Sequence, residues 1–208
     1  TAGNLLLSIV VRPNVNPAKY SGLAAVCGLA VLKTLEKQGL ATEIGLKWPN
    51  DLVARGRKLG GILVEAARDN EGKPFAVCGI GVNVSYTPSD VPDGGLPAIG
   101  LSNLNESVPS VDTLLDEVYH TVMDAVDAWA EQLNALADDA GPLAPVRDGY
   151  IARLNWIGER VIARSPAGDE LARGIFRTVD DFGRACIETE DGLRSFHFEE
   201  ASLRPLSE

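Results

Sequence analysis

A lysine at the end of a predicted strand is the first feature of this sequence that suggests chemistry. The block KWPND occupies positions 47–51, directly after the short apolar segment 44–46, which predicts a strand running into Lys47. Pro49 lacks a backbone donor and fixes its own φ, and the side chains of Asn50 and Asp51 can bond to nearby backbone groups. The strand should therefore end in a tight polar turn that presents the amine of Lys47.

Two apolar runs with internal glycines follow the lysine block. The first reads KLGGILVE at positions 58–65, and the second reads VCGIGVNV at positions 77–84. Both have the composition of strands, yet glycine inside a strand weakens it. Such a glycine often marks a place where another backbone or a flat ligand comes close. The two runs therefore predict strands that contribute to a binding surface.

The elements that must position these residues are predicted from apolar periodicity and turn residues. Positions 5–11 form a continuous apolar run that predicts a buried central strand, and Arg12-Pro13 stops it. Asn16-Pro17 is a favourable helix start, and apolar residues recur with helical period up to Gly39. This helix is expected to cover one face of the sheet.

Short polar turns connect the remaining strands of the first half. Residues 55–57 predict a hairpin between two apolar runs, and residues 68–74 predict a second turn. The resulting meander should bring Lys47, Gly61 and the segment 79–83 close together.

A long connection and two helices are predicted in the middle of the chain. Residues 88–109 are rich in Pro, Gly, Ser, Asp and Asn and predict an irregular segment, with a short helical turn at 101–104. Ser110 is placed to cap an amphipathic helix whose apolar stripe runs to Leu136. Residues 144–154 predict a further short helix.

Beyond Trp156 the pattern changes to short strands separated by turns that contain glycine and aspartate. The predicted strands lie at 160–163, 170–178, 184–188 and 193–198. Strands at this spacing predict a small antiparallel barrel. The predicted domains are therefore 1–154 and 155–208.

Composition limits the classes of partner and compartment. The formal net charge of −10 argues against a general nucleic-acid or anionic-membrane surface, although a few local cations could still bind a nucleotide. Cys27, Cys78 and Cys186 are far apart without metal-ligand spacing, so we interpret them as buried small hydrophobes in a reducing cytoplasm. There is no charge-free apolar run of membrane-spanning length and no signal-peptide pattern.

The KWPND block, the KLGGILVE run and the GIGVN segment together resemble the catalytic domain of biotin–protein ligases, where the same motifs occur in this order. The segment after Trp156 is similar to the small C-terminal barrel of bacterial members, so the resemblance extends over essentially the whole chain. It implies an α+β fold of the class II aminoacyl-tRNA synthetase/biotin ligase type. A mixed, largely antiparallel sheet would be covered by helices and followed by a small C-terminal β-barrel.

The resemblance also implies an activity. Members activate biotin with ATP to biotinyl-5′-AMP and then transfer the biotinyl group to a lysine of a biotin carrier domain of acetyl-CoA carboxylase or a related carboxylase. Biotin and ATP would be the substrates, Mg²⁺ would accompany ATP, and no protein metal site is expected. The carrier domain is the expected partner, a homodimer is possible, and no membrane or nucleic-acid partner is expected for this part.

Several positions match the family's functional residues. Lys47 would be the catalytic residue, touching both the biotin carboxylate and the α-phosphate. Biotin would be bound by Lys47, Leu52, Gly61, Gly79 and Gly81, with Ile80 or Val82 as a further apolar wall. ATP and the adenylate would be bound by Lys47, Asn83 and Arg204. Trp48, Asn50 and Asp51 are expected to be mainly structural.

The sequence departs from the family in one respect. The Ser-Thr-Asn segment and the G-R-G-R-x-G loop that family members carry upstream of the first strand do not occur here, so we expect an N-terminally incomplete ligase whose isolated activity is weak. Two alternatives stay open. One is a lipoate-type ligase or octanoyl transferase on the related fold, and the other is a non-catalytic module that binds the carrier domain or a second copy through a sheet edge.

Overall fold

In the computed structural model, which describes residues 3–40, 43–85 and 95–206, five strands from the first half of the chain form one sheet. The strands are β1 (Leu5–Val11), β2 (Ile44–Lys47), β3 (Asp51–Ala54), β4 (Arg57–Arg68) and β5 (Pro74–Val82), in the order β1-β5-β4-β3-β2. Each of these neighbouring strand pairs is antiparallel, and two isolated parallel bridges join Leu46 to Leu154 and Lys58 to Ala98. The predicted sheet and its meander are confirmed.

The hairpin between β3 and β4 shows why its sequence forms a turn. Arg55 and Gly56 both have positive φ, of 50° and 69°. A two-residue turn with left-handed backbone at both positions matches the twist of the flanking strands, and glycine adopts that backbone without steric cost.

Helices cover one face of the sheet. The predicted helix after Asn16 begins as a 3₁₀ turn, Pro17–Gly22, and continues as α1 (Leu23–Lys37). The long amphipathic helix is α2 (Val111–Asn134), and the Ser110 side chain caps it by accepting from the Thr113 amide at 3.1 Å. Both helices bury their apolar stripes in the core that also contains the inward side chains of the sheet.

The opposite face of the sheet carries no helix among the described residues. Leu6 and Leu63 point to this side and are 66% and 61% exposed, whereas Ile62 and Ile80 point to the helices and are buried. Side chains alternate along a strand, so each strand has one residue set in the core and one on the surface. We call the two sides the covered face and the bare face.

The second half of the chain forms a smaller sheet after a short helix, α3 (Arg147–Ile151), which is shorter than predicted. Its strands are β6 (Arg160–Arg164), β7 (Glu170–Val179), β8 (Ala185–Thr189), β9 (Gly192–Phe196) and β10 (Ser202–Pro205), in the order β10-β6-β7-β8-β9. All pairs are antiparallel. The described residues show no pairing of β9 with β10, so closure into a barrel stays a prediction.

The two sheets are tied together at the KWPND turn. The Trp48 indole Nε1 donates to the Gly183 carbonyl at 2.9 Å, and the Tyr150 hydroxyl donates to the Pro49 carbonyl at 2.6 Å. The Asn155 amide donates to the Leu46 carbonyl at 2.8 Å, so the segment at the predicted domain boundary is hydrogen-bonded to β2. The boundary itself stays a prediction.

Two remaining features bear on compartment. The stretch Pro17–Lys37 has the length and hydropathy of a membrane span, but 67% of its most apolar window is buried inside the protein, as in the core helix of a globular domain. The cysteines Cys27, Cys78 and Cys186 are all buried and unpaired by disulfides.

Candidate functional site

A shallow trough of about 440 Å³ lies on the bare face. Its floor is made by strands β1, β5 and β4, which lie side by side. One row of paired residues across them is Leu6, Gly81 and Gly61, and the next row is Ser8, Gly79 and Leu63. The residues that line the trough are Leu6, Leu7, Ser8, Asn50, Asp51, Lys58, Gly61, Ile62, Leu63, Gly79, Ile80 and Gly81. The predicted glycines therefore lie together in one concave surface.

The glycines keep the floor of the trough low. A Cβ at Gly79 would meet only Leu63, at 3.6 Å or more, and one at Gly81 would meet the Leu6 side chain at 3.6 Å. Both are ordinary van der Waals distances, so packing inside the protein does not require glycine at either position. Side chains there would instead stand in the trough, so glycine at both positions leaves room for a flat ligand.

A cluster of three charged side chains closes one end of the trough. The Lys47 amine donates to Asp51 Oδ2 at 3.1 Å, and the Lys58 amine forms an ion pair with Asp51 Oδ1 at 2.6 Å. The side chains of Lys47 and Asp51 are 7% and 16% exposed, whereas that of Lys58 is 47% exposed. Of the two amines bound to Asp51, that of Lys58 is the more exposed to the trough.

Burial lowers the pKa of Lys47 from its usual value because the charged amine loses hydration. The Asp51 carboxylate opposes this shift, and the positive charges of Arg204 and Lys58 add to it. Arg204 lies on β10, so the smaller sheet brings a third cation close to Lys47. The structure thus collects two of the predicted site residues, Lys47 and Arg204, at one place.

The turn that carries the cluster is held on several sides. The Asn50 side chain donates to the Ile62 carbonyl at 2.5 Å, and the Ile62 amide donates to the Asn50 carbonyl at 2.9 Å. Trp48 is buried and bonded to Gly183, and Tyr150 is bonded to Pro49. Burial, followed by the negative charge of Asp51, raises the pKa of Tyr150, so this hydroxyl stays a donor. These contacts agree with the structural roles expected for Trp48 and Asn50.

The apolar walls of the trough differ from the residues proposed in the sequence. Asp51 points to the bare face, so its neighbour Leu52 points to the covered face and is completely buried there. Ile80 and Val82 are also buried in the covered face for the same reason. The exposed side chains of Leu6 and Leu63 stand on either side of the glycine floor instead.

Asn83 joins three chain segments beside the trough. Its Nδ2 donates to the Ile99 carbonyl at 3.2 Å, and its Oδ1 accepts from the Asn4 side chain at 3.3 Å. Its backbone amide donates to the Leu59 carbonyl at 2.8 Å. The side chain therefore has a structural role, and a contact with adenine stays a prediction.

Three residues that line the trough, Lys58, Ser8 and Leu63, were not predicted from the sequence. The available signal was strand parity: Ser8 is the one polar residue in an apolar run, and Leu63 lies two residues after Gly61. Lys58 lies three residues before Gly61 on the same strand. Simple alternation would place Lys58 on the face opposite to Gly61, but the β3–β4 register shifts between Leu52 and Val53, and this irregularity brings Lys58 to the side of Asp51.

A second cavity, of about 370 Å³, lies behind the KWPND turn on the covered side. It is lined by apolar and uncharged polar side chains from the 3₁₀ turn, β4 and the smaller sheet, and none of its lining residues is charged. The trough is the better site for an anion because it has cations at its end. Among the described residues, no group of three or more His, Cys, Asp or Glu side chains could hold a metal ion.

Comparison with known proteins identifies relatives of both halves. Residues 1–83 match the model of the biotin/lipoate A/B protein ligase family, and residues 156–204 match the biotin protein ligase C-terminal domain. The chain is 35% identical over 188 residues to the biotin–[acetyl-CoA-carboxylase] ligase of Mycobacterium tuberculosis, covering 88% of this chain and 63% of that protein. It is 32% identical over 194 residues to the corresponding ligase of Paracoccus denitrificans, covering 92% of this chain and 76% of that protein.

A solved structure shows the same fold. The biotin protein ligase of Aquifex aeolicus in complex with biotin and ATP has a TM-score of 0.74 and 22% identity, with 98% of this chain and 79% of that chain covered. At this identity the likeness shows the fold alone. This chain spans less than two thirds of the length of the M. tuberculosis relative.

Proposed function

This chain belongs to the biotin protein ligase family, and from that membership we propose that it carries the body of an ATP-dependent biotin–protein ligase. The reaction would convert biotin and ATP to biotinyl-5′-AMP and pyrophosphate, and then transfer the biotinyl group to a lysine of a carboxylase's biotin carrier domain. The observation that carries the proposal is the glycine-floored trough with a half-exposed lysine at its end.

The first step needs positioning and positive charge rather than an enzyme nucleophile. A carboxylate oxygen of biotin attacks the α-phosphorus of ATP, and the bond from that phosphorus to the pyrophosphate oxygen breaks. Two anions must approach each other, so a fixed cation that contacts both lowers the barrier. In the second step the carrier amine attacks the acyl carbon and AMP leaves, while the same cation stabilises the leaving phosphate.

We place biotin along the trough. Its fused rings would lie on the backbone of Gly79 and Gly81, between the side chains of Leu6 and Leu63. The Ser8 hydroxyl faces the same space and could bond to the polar edge of the rings. The valeryl chain would then run toward Gly61, so that its carboxylate meets the Lys58 amine.

ATP would bind beside the charged cluster. Arg204 lies close to Lys47, which supports the prediction that it contacts a phosphate, and Asn83 borders the region where the adenine would lie. Mg²⁺ would arrive with the ATP phosphates, which is the usual way that this ion is held in nucleotide sites. Lys47 was predicted to be the catalytic lysine, and this stays a prediction. Lys58, whose side chain is 47% exposed, would add a second cation at the same end of the trough.

The carrier domain is the proposed macromolecular substrate. Among the described strands, β1 has a neighbour on one side only, and its Leu6 and Val10 side chains are exposed on the bare face. An edge strand can accept another strand by backbone pairing, so this edge could receive the carrier or a second copy. Light scattering with and without carrier tests both possibilities. The buried free cysteines support a reducing cytoplasmic location.

The test is a biotin-transfer assay with this chain, biotin, Mg-ATP and a carrier domain, detected with streptavidin. The carrier should become labelled, and Lys58→Ala should lower the rate by about 100-fold or more because a contact made in the transition state is lost. Lys73→Ala is the matched control, since Lys73 lies in the turn between β4 and β5, away from the trough, and has a 69% exposed side chain. That variant should label the carrier at the unmodified rate.

Measuring the binding of biotin directly distinguishes a slow biotin ligase from a protein that is not a biotin ligase. The chain alone is expected to transfer slowly, so calorimetry with biotin and with lipoate accompanies the assay. Biotin binding that depends on Lys58 supports the proposal even when transfer is slow. Binding of lipoate in preference to biotin, or absence of both binding and transfer, would refute it.

A further inference from the structure

The cavity behind the KWPND turn, on the covered side, is walled largely by aromatic rings. Its volume of about 370 Å³ lies within the usual range of small-molecule sites. Tyr20, Trp48, Tyr150, Phe182 and Phe198 contribute to the wall, and no lining residue is charged. A charged ligand would lose its hydration here without gaining a counter-ion, so the wall favours a neutral one.

The hydroxyl of Tyr20 is the unusual polar group of this wall. Tyr20 is only 3% exposed, yet its hydroxyl forms no hydrogen bond with any residue that the structure describes. Every fully buried side-chain oxygen and nitrogen of the described residues has a partner, so this hydroxyl must keep an opening, and the cavity that Tyr20 lines supplies one. A hydroxyl in an apolar wall loses hydration at a cost, which a bonded ligand would recover.

The other polar side chains of the wall already have partners or face solvent. Trp48, Tyr150 and Asn50 each donate to a backbone carbonyl, at 2.9, 2.6 and 2.5 Å respectively. Ser21 is exposed, so water can satisfy its hydroxyl. Within the described part of the wall, Tyr20 is therefore the group left to select a ligand by hydrogen bonding.

We propose that this cavity binds a neutral, largely aromatic small molecule whose hydrogen-bonding group meets the Tyr20 hydroxyl. The ligand's rings would pack against those of the wall in the offset or edge-to-face arrangements that aromatic pairs favour. A tyrosine hydroxyl both donates and accepts, so the polar group of the ligand can be an N–H, an O–H or a carbonyl.

The cavity is distinct from the trough on the bare face. Asn50, Ile62 and Leu63 line both, so these residues form a wall between the two spaces. The cavity has no cation to receive the carboxylate of biotin. The inference therefore goes beyond the proposed function and stands or falls independently of biotin binding.

The first test locates a neutral aromatic probe, indole, by NMR. The chain has three tryptophans, so labelling them with ¹⁵N gives three indole N–H signals. Trp48 lines the cavity, whereas Trp129 and Trp156 do not. Added indole should move the Trp48 signal in a saturable way and move the other two much less. Absence of a saturable Trp48 shift at millimolar indole would overturn the proposal.

The second test isolates the hydroxyl. In Tyr20→Phe, indole affinity should fall about two- to tenfold, the usual effect of losing one neutral hydrogen bond. Affinity for benzothiophene, which has the shape of indole but no N–H, should stay the same. The melting temperature should also stay the same, because the hydroxyl has no partner among the described residues. Equal losses for both probes would show that the hydroxyl does not select the ligand.

The third test fills the cavity from β4. Ala66 is exposed and lines the cavity, whereas the adjacent Ala67 does not line it and lies on the opposite face of the strand. Ala66→Phe should abolish the Trp48 shift, and the matched control Ala67→Phe should retain it. Thermal melts show that both variants are folded. Indole binding that survives in Ala66→Phe, or that is lost equally in Ala67→Phe, would place the probe elsewhere and refute the site.

Discussion

The covered face and the bare face of the main sheet are made by the same strands but carry different side chains. On β4 and β5 the covered positions Ile62, Ile80 and Val82 are large and buried, while the bare positions Gly61, Gly79 and Gly81 have no side chain. Adjacent residues of one strand therefore serve stability and binding separately. The difference teaches that strand parity, more than motif identity, assigns a residue to the core or to the site.

The comparison also applies to charge. The covered side has an apolar cavity without charged lining residues, whereas the bare side ends in the cluster of Lys47, Asp51 and Lys58. A buried charge is tolerated only when it is paired, and here the buried amine of Lys47 is paired with Asp51. Variants on either side should consequently change one property and spare the other.

The largest effects should come from adjacent residues 79 and 80. Gly79→Val places a side chain on the trough floor without a clash in the protein, so biotin affinity should fall by about 100-fold while stability changes little. Ile80→Ala removes a buried side chain and should lower the free energy of unfolding by about 2–5 kcal/mol with affinity retained. Calorimetry and urea unfolding measure the two quantities.

The variants Gly79→Val and Ile80→Ala can also show that the separation of binding and stability between the two faces is wrong. Loss of stability in Gly79→Val, or loss of affinity in folded Ile80→Ala, would mean that the two faces are coupled. In that case the assignment of Leu52 and Val82 to the core would also not exclude a role in binding.

Alanine substitutions at the neighbouring Gly60 and Gly61 should separate stability from affinity in the same way, with smaller effects. A Cβ at Gly60 would collide with the Gly81 carbonyl oxygen, so Gly60→Ala should destabilise the protein by about 1–3 kcal/mol. A Cβ at Gly61 would lie 3.3 Å from Asp51 Oδ1, which can shift slightly. Gly61→Ala should therefore keep its melting temperature and weaken biotin binding several-fold. Equal melting temperatures for the two variants would contradict the geometry.

The pH dependence of stability distinguishes the two buried titratable groups behind the site. Burial lowers the Lys47 pKa, so between that pKa and about 10.4 the unfolded chain binds more protons and the free energy of unfolding rises with pH. The Tyr150 pKa is raised, so above about 10 the unfolded chain releases a proton that the folded chain keeps, and stability falls as pH rises.

Single substitutions should remove the rise and the fall of the free energy of unfolding with pH separately. Lys47→Met should flatten the rise at moderately alkaline pH, and Tyr150→Phe should reduce the fall at higher pH. Urea unfolding across this pH range measures both. A rise that persists in Lys47→Met would show that other groups cause it.

Much of the fold was predictable because its signals are local. The apolar run of β1, the cap of α2 and the turn after β3 each depend on residues close in sequence. The first helix began differently from its prediction, since Pro17–Gly22 forms a 3₁₀ turn. The C-terminal strands were predicted, but whether they close a barrel depends on pairing between distant ends, for which the sequence has no periodic signal.

The site was predictable in position but not in detail. The glycines were identified because their cost inside a strand requires an explanation. The burial of Lys47 was not predictable, because it is caused by β10 and α3, which approach the turn from more than 100 positions away. Leu52 was placed on the wrong side of the strand for lining the trough, since the parity of β3 is set by Asp51 pointing to the bare face.

The smallest predicted effect belongs to Ser8, the polar residue of β1 that faces the trough. Its hydroxyl lies on the exposed side of the strand, opposite Gly79, and contributes nothing to the covered core. Ser8→Ala should therefore leave the melting temperature unchanged. Biotin affinity should fall about two- to tenfold, the usual effect of losing one neutral hydrogen bond. Desthiobiotin, which keeps the ureido group, should show the same loss. If Ser8→Ala binds biotin like the unmodified chain, then the ureido edge points away from β1, and the orientation of biotin along the trough must be reversed.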